Sequence, residues 1–252
     1  MLGTVIHRLE SVPSTNDAAR ELVRSGAAHG TVVVADEQTR GRGTKGRVWH
    51  SPPGLGLYAS FILRWDDPAG LGESFALLPL AAGLASAEAV LESSGVEVRL
   101  KWPNDLVRDR KKLGGILTEG VLRPGAPGHA VVGIGINVNH VEADFPAGLR
   151  EAATSLRLAS GRPADREALL RGLCRSLDCW YNSLVRGEGE AVLRGCVERM
   201  AFSPGQLIRV TTARGETEGA YRGLGPQGRL LLDRAAGAVS FSSEEIEALD
   251  WE

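Results

Sequence analysis

Short apolar runs recur along the first 137 residues of the chain, each with the length of a buried β-strand. Two of the runs contain glycines, which let another group approach the backbone closely. Another ends at Pro103, which restricts the residue before it and interrupts regular structure. We therefore predict strands over residues 5–9, 31–35, 57–63, 96–102, 113–122 and 130–136.

Helical periodicity occupies stretches between and after these runs. Residues 17–23 predict a helix that Gly26 ends, and the preceding Ser14-Thr15-Asn16 supplies side chains suited to an N-cap. The alanine- and leucine-rich stretch 75–91 predicts a long and largely buried helix. Apolar residues at helical spacing predict further helices over 169–184 and 190–200. Because helices interleave with strands, we predict an α/β (α+β) fold with a mixed sheet flanked by helices.

The pattern changes after residue 202. Short strands joined by glycine-containing turns are predicted over residues 207–212, 217–224, 229–233 and 238–241. A β-barrel of about 50 residues is close to the lower limit of independent stability, so we expect it to pack against the rest of the chain. The sequence therefore predicts two domains, residues 1–202 and residues 203–252.

Composition excludes several classes of function. The formal net charge of −2 argues against a nucleic-acid-binding surface that spans the whole molecule. No N-terminal leader and no run of about 20 uninterrupted apolar residues is found, so we expect a cytoplasmic protein that makes no membrane contact. The three cysteines lack CxxC spacing and are expected to be reduced, mostly buried thiols. The five histidines are scattered and receive no role.

Arginine supplies nearly all the positive charge, and the four lysines, Lys45, Lys101, Lys111 and Lys112, fall in two short segments. This distribution favours lysine positions that need a compact ammonium, with chance clustering as the alternative. Residues 41–47 combine three glycines with three cations, which suits binding of an anion. The loop matches neither a P-loop nor a Rossmann fingerprint, and taken alone it is better interpreted as a solvated basic surface loop.

The second lysine-containing region joins a cation, an aromatic ring and a carboxylate within residues 101–106. Residues 110–117 then carry cations into an apolar, glycine-containing strand. Lys111 suits an exposed ion pair, but Lys112 enters a stretch that we expect to be buried. Because a buried ammonium needs an anionic partner, a bound ligand is a candidate partner for Lys112.

Five ordered motifs across roughly half the chain resemble those of biotin protein ligases. They are Ser14-Thr15-Asn16, Gln38 with Gly41-Arg42-Gly43, Lys101-Trp102-Pro103-Asn104-Asp105, Lys112-Leu113-Gly114-Gly115-Ile116-Leu117 and Gly133-Ile134-Gly135-Ile136-Asn137. The resemblance implies a class II synthetase-like catalytic domain and an SH3-like C-terminal β-barrel. The family activates biotin with ATP and Mg²⁺ to biotinyl-5′-AMP. It then transfers biotin to a lysine of a biotin carboxyl carrier protein, a carboxylase subunit.

The resemblance also assigns roles to individual residues. Lys112 and Arg42 would be catalytic, and Asp105 would bind Mg²⁺. Biotin would be bound by Ser14, Thr15, Asn16, Gln38, Gly41, Arg42, Gly43, Thr44, Trp49, Lys112, Gly114 and Gly115. ATP and the adenylate would be bound by Arg42, Lys45, Trp49, Lys101, Asn104, Asp105, Lys112 and Asn137.

Two departures from the family pattern qualify this interpretation. Thr44 stands where many members have arginine, which raises the question of whether Lys45 compensates in closing the loop over the adenylate. About a dozen residues precede the Ser-Thr-Asn motif, too few for the helix-turn-helix domain of the repressor members. We therefore expect a single-function ligase that does not bind DNA.

Two alternative functions and the oligomeric state stay open. A lipoate ligase or octanoyl transferase of the same superfold is the nearest alternative, although neither is expected to combine the Gly41–Gly43 motif, the Lys101–Asp105 motif and a C-terminal barrel. A non-catalytic binding module is the alternative from another class, and retention of Lys112, Arg42 and Asp105 argues against it. An exposed edge strand would support a homodimer.

Overall fold

The computed structural model describes residues 1–65, 73–121 and 128–251. Within these residues the main domain is built on a seven-stranded sheet in the order β1-β2-β3-β7-β6-β5-β4. The β1–β2 pair is parallel and the other pairs are antiparallel, so the sheet is mixed, as predicted. Its strands are β1 (Ile6–Val12), β2 (Val32–Gln38), β3 (Gly56–Trp65), β4 (Arg99–Lys101), β5 (Asp105–Arg108), β6 (Lys111–Val121) and β7 (Gly128–Asn137).

Helices cover both faces of this sheet. Side chains alternate along each strand, so Val33, Ile62 and Val131 pack under α1 on one face. The opposite face forms the main core with the long helix α2 and its neighbour α4. The helices are α1 (Thr15–Arg24), α2 (Leu78–Ser94), α3 (Leu156–Ser160), α4 (Arg166–Val185) and α5 (Gly189–Glu198).

Several details of the main domain differ from the prediction, and β5 and α3 were not predicted. The strand expected over 96–102 is the shorter β4, and the strand expected over 113–122 begins at Lys111 and reaches Val121. Leu122 lies outside the described residues. The helix expected over 75–91 begins at Leu78, because Pro79 fits the first turn of a helix and residues 73–77 form a tighter turn.

The start of α1 corrects the N-cap prediction. Ser14 occupies the N-cap position, but its side chain makes no capping hydrogen bond. Instead, the backbone N–H of Thr15 donates to Gln38 Oε1 at 2.9 Å. A side chain from β2 therefore satisfies this helix terminus, and the Ser14 side chain is available to the adjoining cavity.

The C-terminal residues form a separate antiparallel sheet in the order β11-β10-β9-β8-β12, counted within residues 207–251. Its strands are β8 (Leu207–Thr212), β9 (Gly215–Leu224), β10 (Leu230–Asp233), β11 (Val239–Phe241) and β12 (Ile246–Trp251). The prediction of a small β-domain is confirmed, but β12 was missed. Its buried positions, Ile246, Leu249 and Trp251, do not alternate regularly, because the register with β8 shifts between Ile246 and Ala248.

The small sheet packs against the main domain, as its size led us to expect. Trp102 Nε1 donates to the carbonyl oxygen of Gly228 at 2.9 Å. The rings of Phe202 and Trp251 lie 5.6 Å apart, and the apolar core is continuous between the two sheets. The boundary between residues 202 and 203 stays a prediction.

Two expectations from composition can be compared with the structure. Cys174 and Cys196 are buried and Cys179 is exposed, and all three are free. Burial raises the pKa of the Cys174 thiol to about 11, which makes it unreactive. Among the described residues, Ser74–Ser94 is one stretch long and apolar enough to cross a membrane by length and composition. It is 67% buried inside the protein, as a core helix would be.

Candidate active site

A cavity of about 300 Å³ lies between the start of α1, the strands β6 and β7, and two loops, residues 41–49 and 138–155. It brings together most of the site residues that the motifs predicted. Those lining it are Ser14, Thr15, Asn16, Gln38, Arg42, Gly43, Thr44, Trp49, Asn104, Asp105, Lys112, Gly115 and Asn137. Residues far apart in sequence therefore converge on one cavity.

Polar side chains are fixed at one end of the cavity by a hydrogen-bond network. Ser60 Oγ lies 2.8 Å from Thr15 Oγ1 and 2.6 Å from Asn16 Oδ1. Thr15 Oγ1 lies 3.1 Å from Gln38 Oε1, and Gln38 Nε2 donates to Ser51 Oγ at 2.9 Å. These groups are held in defined orientations before any ligand arrives. Sequence reasoning missed Ser60, although a lone polar residue inside an apolar strand was the available signal.

Glycines form the floor of the cavity. A Cβ on Gly133 would overlap Asn16 Oδ1, and a Cβ on Gly135 would lie 2.6 Å from Trp49 Nε1. Successive side chains of a strand point to opposite faces, so the Gly-Ile-Gly-Ile pattern places both glycines on the cavity side. Neither was among the predicted site residues, although the pattern contained the signal.

Gly41 and Gly114 do not line the cavity, contrary to expectation. A Cβ on Gly41 would lie 2.5 Å from the carbonyl oxygen of Trp49, and one on Gly114 would lie 2.9 Å from that of Gly135. Both glycines permit close packing behind the cavity wall. Gly43 lines the cavity, but its N–H donates to Arg47 O at 2.7 Å and is not directed at a ligand.

The prediction that Lys112 is buried is corrected by the structure, which also places a protein carboxylate beside its ammonium. Lys112 Nζ donates to Asp105 Oδ1 at 2.6 Å, and the two side chains are 36% and 21% exposed. The pair forms because β5 and β6 are antiparallel neighbours, which brings residues seven apart to the same place. The ammonium also lies 5.5 Å from the centre of the Trp49 ring, and Trp49 Nε1 is buried with no partner among the described residues.

A segment between β7 and α3 covers the other end of the cavity. Lys112 N donates to Ala152 O at 2.7 Å, and Thr154 N donates to Lys112 O at 2.9 Å. The covering segment therefore fixes the backbone of Lys112. Its side chains contribute an apolar wall made of Phe145, Leu149, Ala152 and Ala153. This wall was not predicted from the sequence, because an irregular loop has no periodicity.

The other cations predicted at the site, Arg42, Lys45 and Lys101, line two different cavities. Arg42 lines the cavity, and its guanidinium donates to Asp17 Oδ1 at 2.8 Å and to Glu119 Oε2 at 3.3 Å. Lys45 and Lys101 were predicted to bind ATP, but they line a second cavity of about 760 Å³ between the main sheet and the C-terminal domain. Lys101 Nζ lies 5.1 Å from the centre of the Trp251 ring.

The two asparagines of the predicted nucleotide site are held by backbone groups. Asn104 Nδ2 donates to Ile116 O at 2.7 Å, and Asn104 lines both cavities. Asn137 Nδ2 donates to Thr154 O at 3.0 Å and is buried. Both side chains therefore tie the cavity wall to neighbouring segments.

His140, in the covering segment, predicts a pH dependence of stability. The ring is fully buried against Phe145, both ring nitrogens lack a hydrogen-bond partner among the described residues, and desolvation lowers the pKa to about 4. An unfolded histidine titrates near 6.5, so between these values the unfolded chain binds the extra proton and stability falls as the pH drops. We expect a loss of about 2 kcal/mol from pH 7 to pH 5 from this group. A pKa of His140 at or above 6 in an NMR titration of the folded protein would contradict this.

Comparison with known proteins agrees with the resemblance carried by the motifs. Residues 9–137 match the profile of the biotin/lipoate A/B protein ligase family. The bifunctional ligase/repressor BirA of Bacillus spizizenii is 36% identical over 247 residues, covering 98% of this chain and 75% of that protein. The biotin–[acetyl-CoA-carboxylase] ligase of Paracoccus denitrificans is 31% identical over 243 residues, covering 94% and 98%.

A solved structure extends this similarity to the whole fold. The biotin protein ligase from Aquifex aeolicus in complex with biotin and ATP has 30% sequence identity and a TM-score of 0.84. The superposition covers 99% of this chain and 100% of that one, so it includes both the mixed sheet and the C-terminal β-domain. The chain belongs to the biotin/lipoate A/B protein ligase family.

Proposed function

We propose that this protein is a biotin protein ligase, which joins biotin to ATP as biotinyl-5′-AMP and transfers biotin to a lysine of a carrier protein. The observation that carries the proposal is the position of the Lys112–Asp105 pair in a cavity whose far end holds fixed polar groups. Relatives named as biotin ligases and a biotin- and ATP-bound neighbour support the same activity.

The shape of the cavity suits biotin. The network of Thr15, Gln38 and Ser60 offers polar atoms to the ureido group, as the resemblance implied for Ser14, Thr15, Asn16 and Gln38. The Trp49 ring packs close to Gly115 and Gly135, and together they would give the rings and the chain of biotin an apolar wall. Such a site is mostly apolar with a few convergent polar groups.

The first half-reaction brings two anions together. The carboxylate of biotin attacks the α-phosphate of ATP and pyrophosphate leaves, so the barrier is largely one of positioning and charge neutralisation. Lys112 would leave Asp105 to contact both reacting groups, and a preorganised cation stabilises the negative charge that develops there. Arg42 would exchange Asp17 or Glu119 for the phosphate in the same way.

The nucleotide would occupy the end of the cavity beside Lys112. Phe145, Leu149 and Ala152 give that end an apolar surface, and Asn137 adjoins it. In the second half-reaction the carrier lysine attacks the mixed anhydride and AMP leaves. The enzyme needs no covalent nucleophile of its own for this step.

The residues present fit Mg²⁺ carried by ATP. No group of three or more His, Cys, Asp or Glu side chains that could hold a metal occurs among the described residues. Mg²⁺ is commonly held by one or two carboxylates together with substrate phosphates and water, and Asp105 supplies one carboxylate at the cavity. Mg²⁺ would neutralise phosphate charge when bound, and Asp105 would orient it.

Isothermal titration of the protein with biotin and with lipoate tests the substrate. We expect saturable binding of biotin and at least 100-fold weaker binding of lipoate, because a site built for hydrogen bonds to the ureido group leaves those groups unpaired with lipoate. Equal or tighter binding of lipoate or octanoate would favour the lipoate/octanoate alternative.

Thr44 at the edge of the cavity gives a prediction about retention of the intermediate. Thr44→Arg would place a guanidinium beside the adenylate phosphate, and one charge-assisted hydrogen bond should slow release of biotinyl-AMP about tenfold. Single-turnover release of the preformed intermediate measures this. The same release rate in both proteins would count against a role for this position.

The proposal also covers the acceptor protein, the location in the cell, the dimer surface and the domain division. The acceptor would be the biotin carboxyl carrier protein of a carboxylase, and the location would be the cytoplasm, which free thiols suit. Strand β1 lies at an edge of the main sheet and would be the pairing surface of a homodimer. We retain the two-domain division at residues 202 and 203.

A further inference from the structure

Residues 41–49, which we name the glycine-rich hairpin, form a hydrogen-bonded hairpin and not an irregular loop. Arg42 and Val48 pair as antiparallel neighbours. Trp49 N donates to Gly41 O at 2.9 Å, and Gly43 N donates to Arg47 O at 2.7 Å. The two arms of the hairpin are therefore joined, and a displacement of the tip is transmitted to Trp49 in the cavity wall.

The tip of the hairpin contacts the C-terminal domain. Lys45 Nζ donates to the carbonyl oxygen of Ile246 and to that of Glu244, the latter at 3.3 Å. Arg47 Nη2 donates to Glu247 O at 2.8 Å. All three acceptors are backbone carbonyl groups of the C-terminal domain: Ile246 and Glu247 begin β12, Glu244 lies two residues before it, and Ile246 pairs with Thr212 of β8. Two cations of the hairpin are thus used to hold another domain.

The backbone of Lys45 is a second and independent observation. Its φ of 57° and ψ of 35° are left-handed, a conformation that a residue with a Cβ disfavours. Such conformations persist where surrounding contacts hold them, and they recur at ligand clamps. The contacts of the Lys45 ammonium with β12 supply that restraint.

We infer that Lys45 is a positioning residue through which the C-terminal domain holds the glycine-rich hairpin closed over the activated intermediate. The inference rests on the proposed function. Thr44 and Arg47, on either side of Lys45, line the 300 Å³ cavity, so the hairpin tip is part of its wall. Loss of the Lys45 contacts frees the tip and opens the cavity to solvent.

Lys45→Met tests the inference, since methionine has a similar length and no charge. We expect preformed biotinyl-AMP to leave this variant about tenfold faster than wild type, which corresponds to about 1.4 kcal/mol. Lys45→Arg keeps a cation within reach of the same carbonyl groups and should restore most of the retention. The matched control is Arg222→Met, because Arg222 pairs with Asp233 inside the C-terminal sheet, and this variant should release at the wild-type rate.

Hydrogen exchange separates this inference from the proposed function. In protein without added ligand, Lys45→Met should speed amide exchange in residues 43–48 and 244–248 and leave α4 unchanged. Amide exchange at wild-type rates in both segments of Lys45→Met would overturn the inference. Release of biotinyl-AMP at equal rates from Lys45→Met and Lys45→Arg would also overturn it. If wild-type protein forms no biotinyl-AMP, the proposed function fails, and the exchange result still decides whether Lys45 fixes the hairpin.

Discussion

Replacing Lys112 with methionine is expected to reduce the synthesis of biotinyl-AMP on the order of 10³-fold, as loss of one preorganised charge at a reacting centre typically does. Lys112 Nζ lies 2.6 Å from Asp105 Oδ1 and faces the cavity. In the variant, nothing at that position would offset the repulsion between the carboxylate of biotin and the α-phosphate. Single-turnover formation of the adenylate at saturating biotin and ATP measures the effect.

The neighbouring lysine provides the control for this prediction. Lys111 lies on the same strand and is exposed, so Lys111→Met removes an identical charge without changing the cavity. We expect Lys111→Met to form the adenylate at nearly the wild-type rate. Wild-type adenylate formation by a correctly folded Lys112→Met variant would refute the role given to this ammonium, and circular dichroism and thermal unfolding establish the fold of each variant.

The second large effect is expected from Gly133→Ala. The added Cβ would overlap Asn16 Oδ1, and Asn16 is also bonded to Ser60 Oγ at 2.6 Å and to Glu119 at 2.7 Å. Displacement of Asn16 would disturb the polar end of the cavity. We expect the Kd for biotin to rise about 100-fold, because a buried hydrogen-bonding group left unpaired costs about 1–3 kcal/mol. Isothermal titration measures it.

Gly148→Ala is the matched control, because an added Cβ there meets nothing within 4 Å and Gly148 does not line the cavity. This variant should bind biotin like wild type. If Gly133→Ala also kept wild-type affinity while remaining folded, the polar network would not be the site of biotin recognition, and another part of the cavity would have to supply it.

Much of the fold and site followed from local signals in the sequence. Apolar runs located most strands of the main sheet, and the change of texture after residue 202 located the C-terminal domain. The Gly-Ile-Gly-Ile pattern contained the cavity floor, because alternation alone determines which face a strand residue occupies. Motifs predict these site residues well because their positions depend on the local backbone and not on distant contacts.

Other features depend on contacts that no local pattern encodes. The Lys112–Asp105 pair requires the register of β5 and β6, and β5 was not predicted. The resemblance assigned Lys45 to ATP or the adenylate, and in the structure its ammonium contacts a backbone carbonyl group of β12, about 200 residues later in the chain. An ammonium in a glycine-rich loop suits a phosphate or a carbonyl group equally, so the sequence alone could not predict the contacts with β12.

Biotin-dependent release of pyrophosphate from ATP, with mass-spectrometric detection of the product, tests whether this protein activates biotin. We expect stoichiometric formation of biotinyl-AMP by the purified protein with biotin and MgATP, and transfer to a lysine once a biotin carboxyl carrier protein is added. Pyrophosphate release that is independent of biotin, or that occurs with lipoate or octanoate in its place, would contradict it.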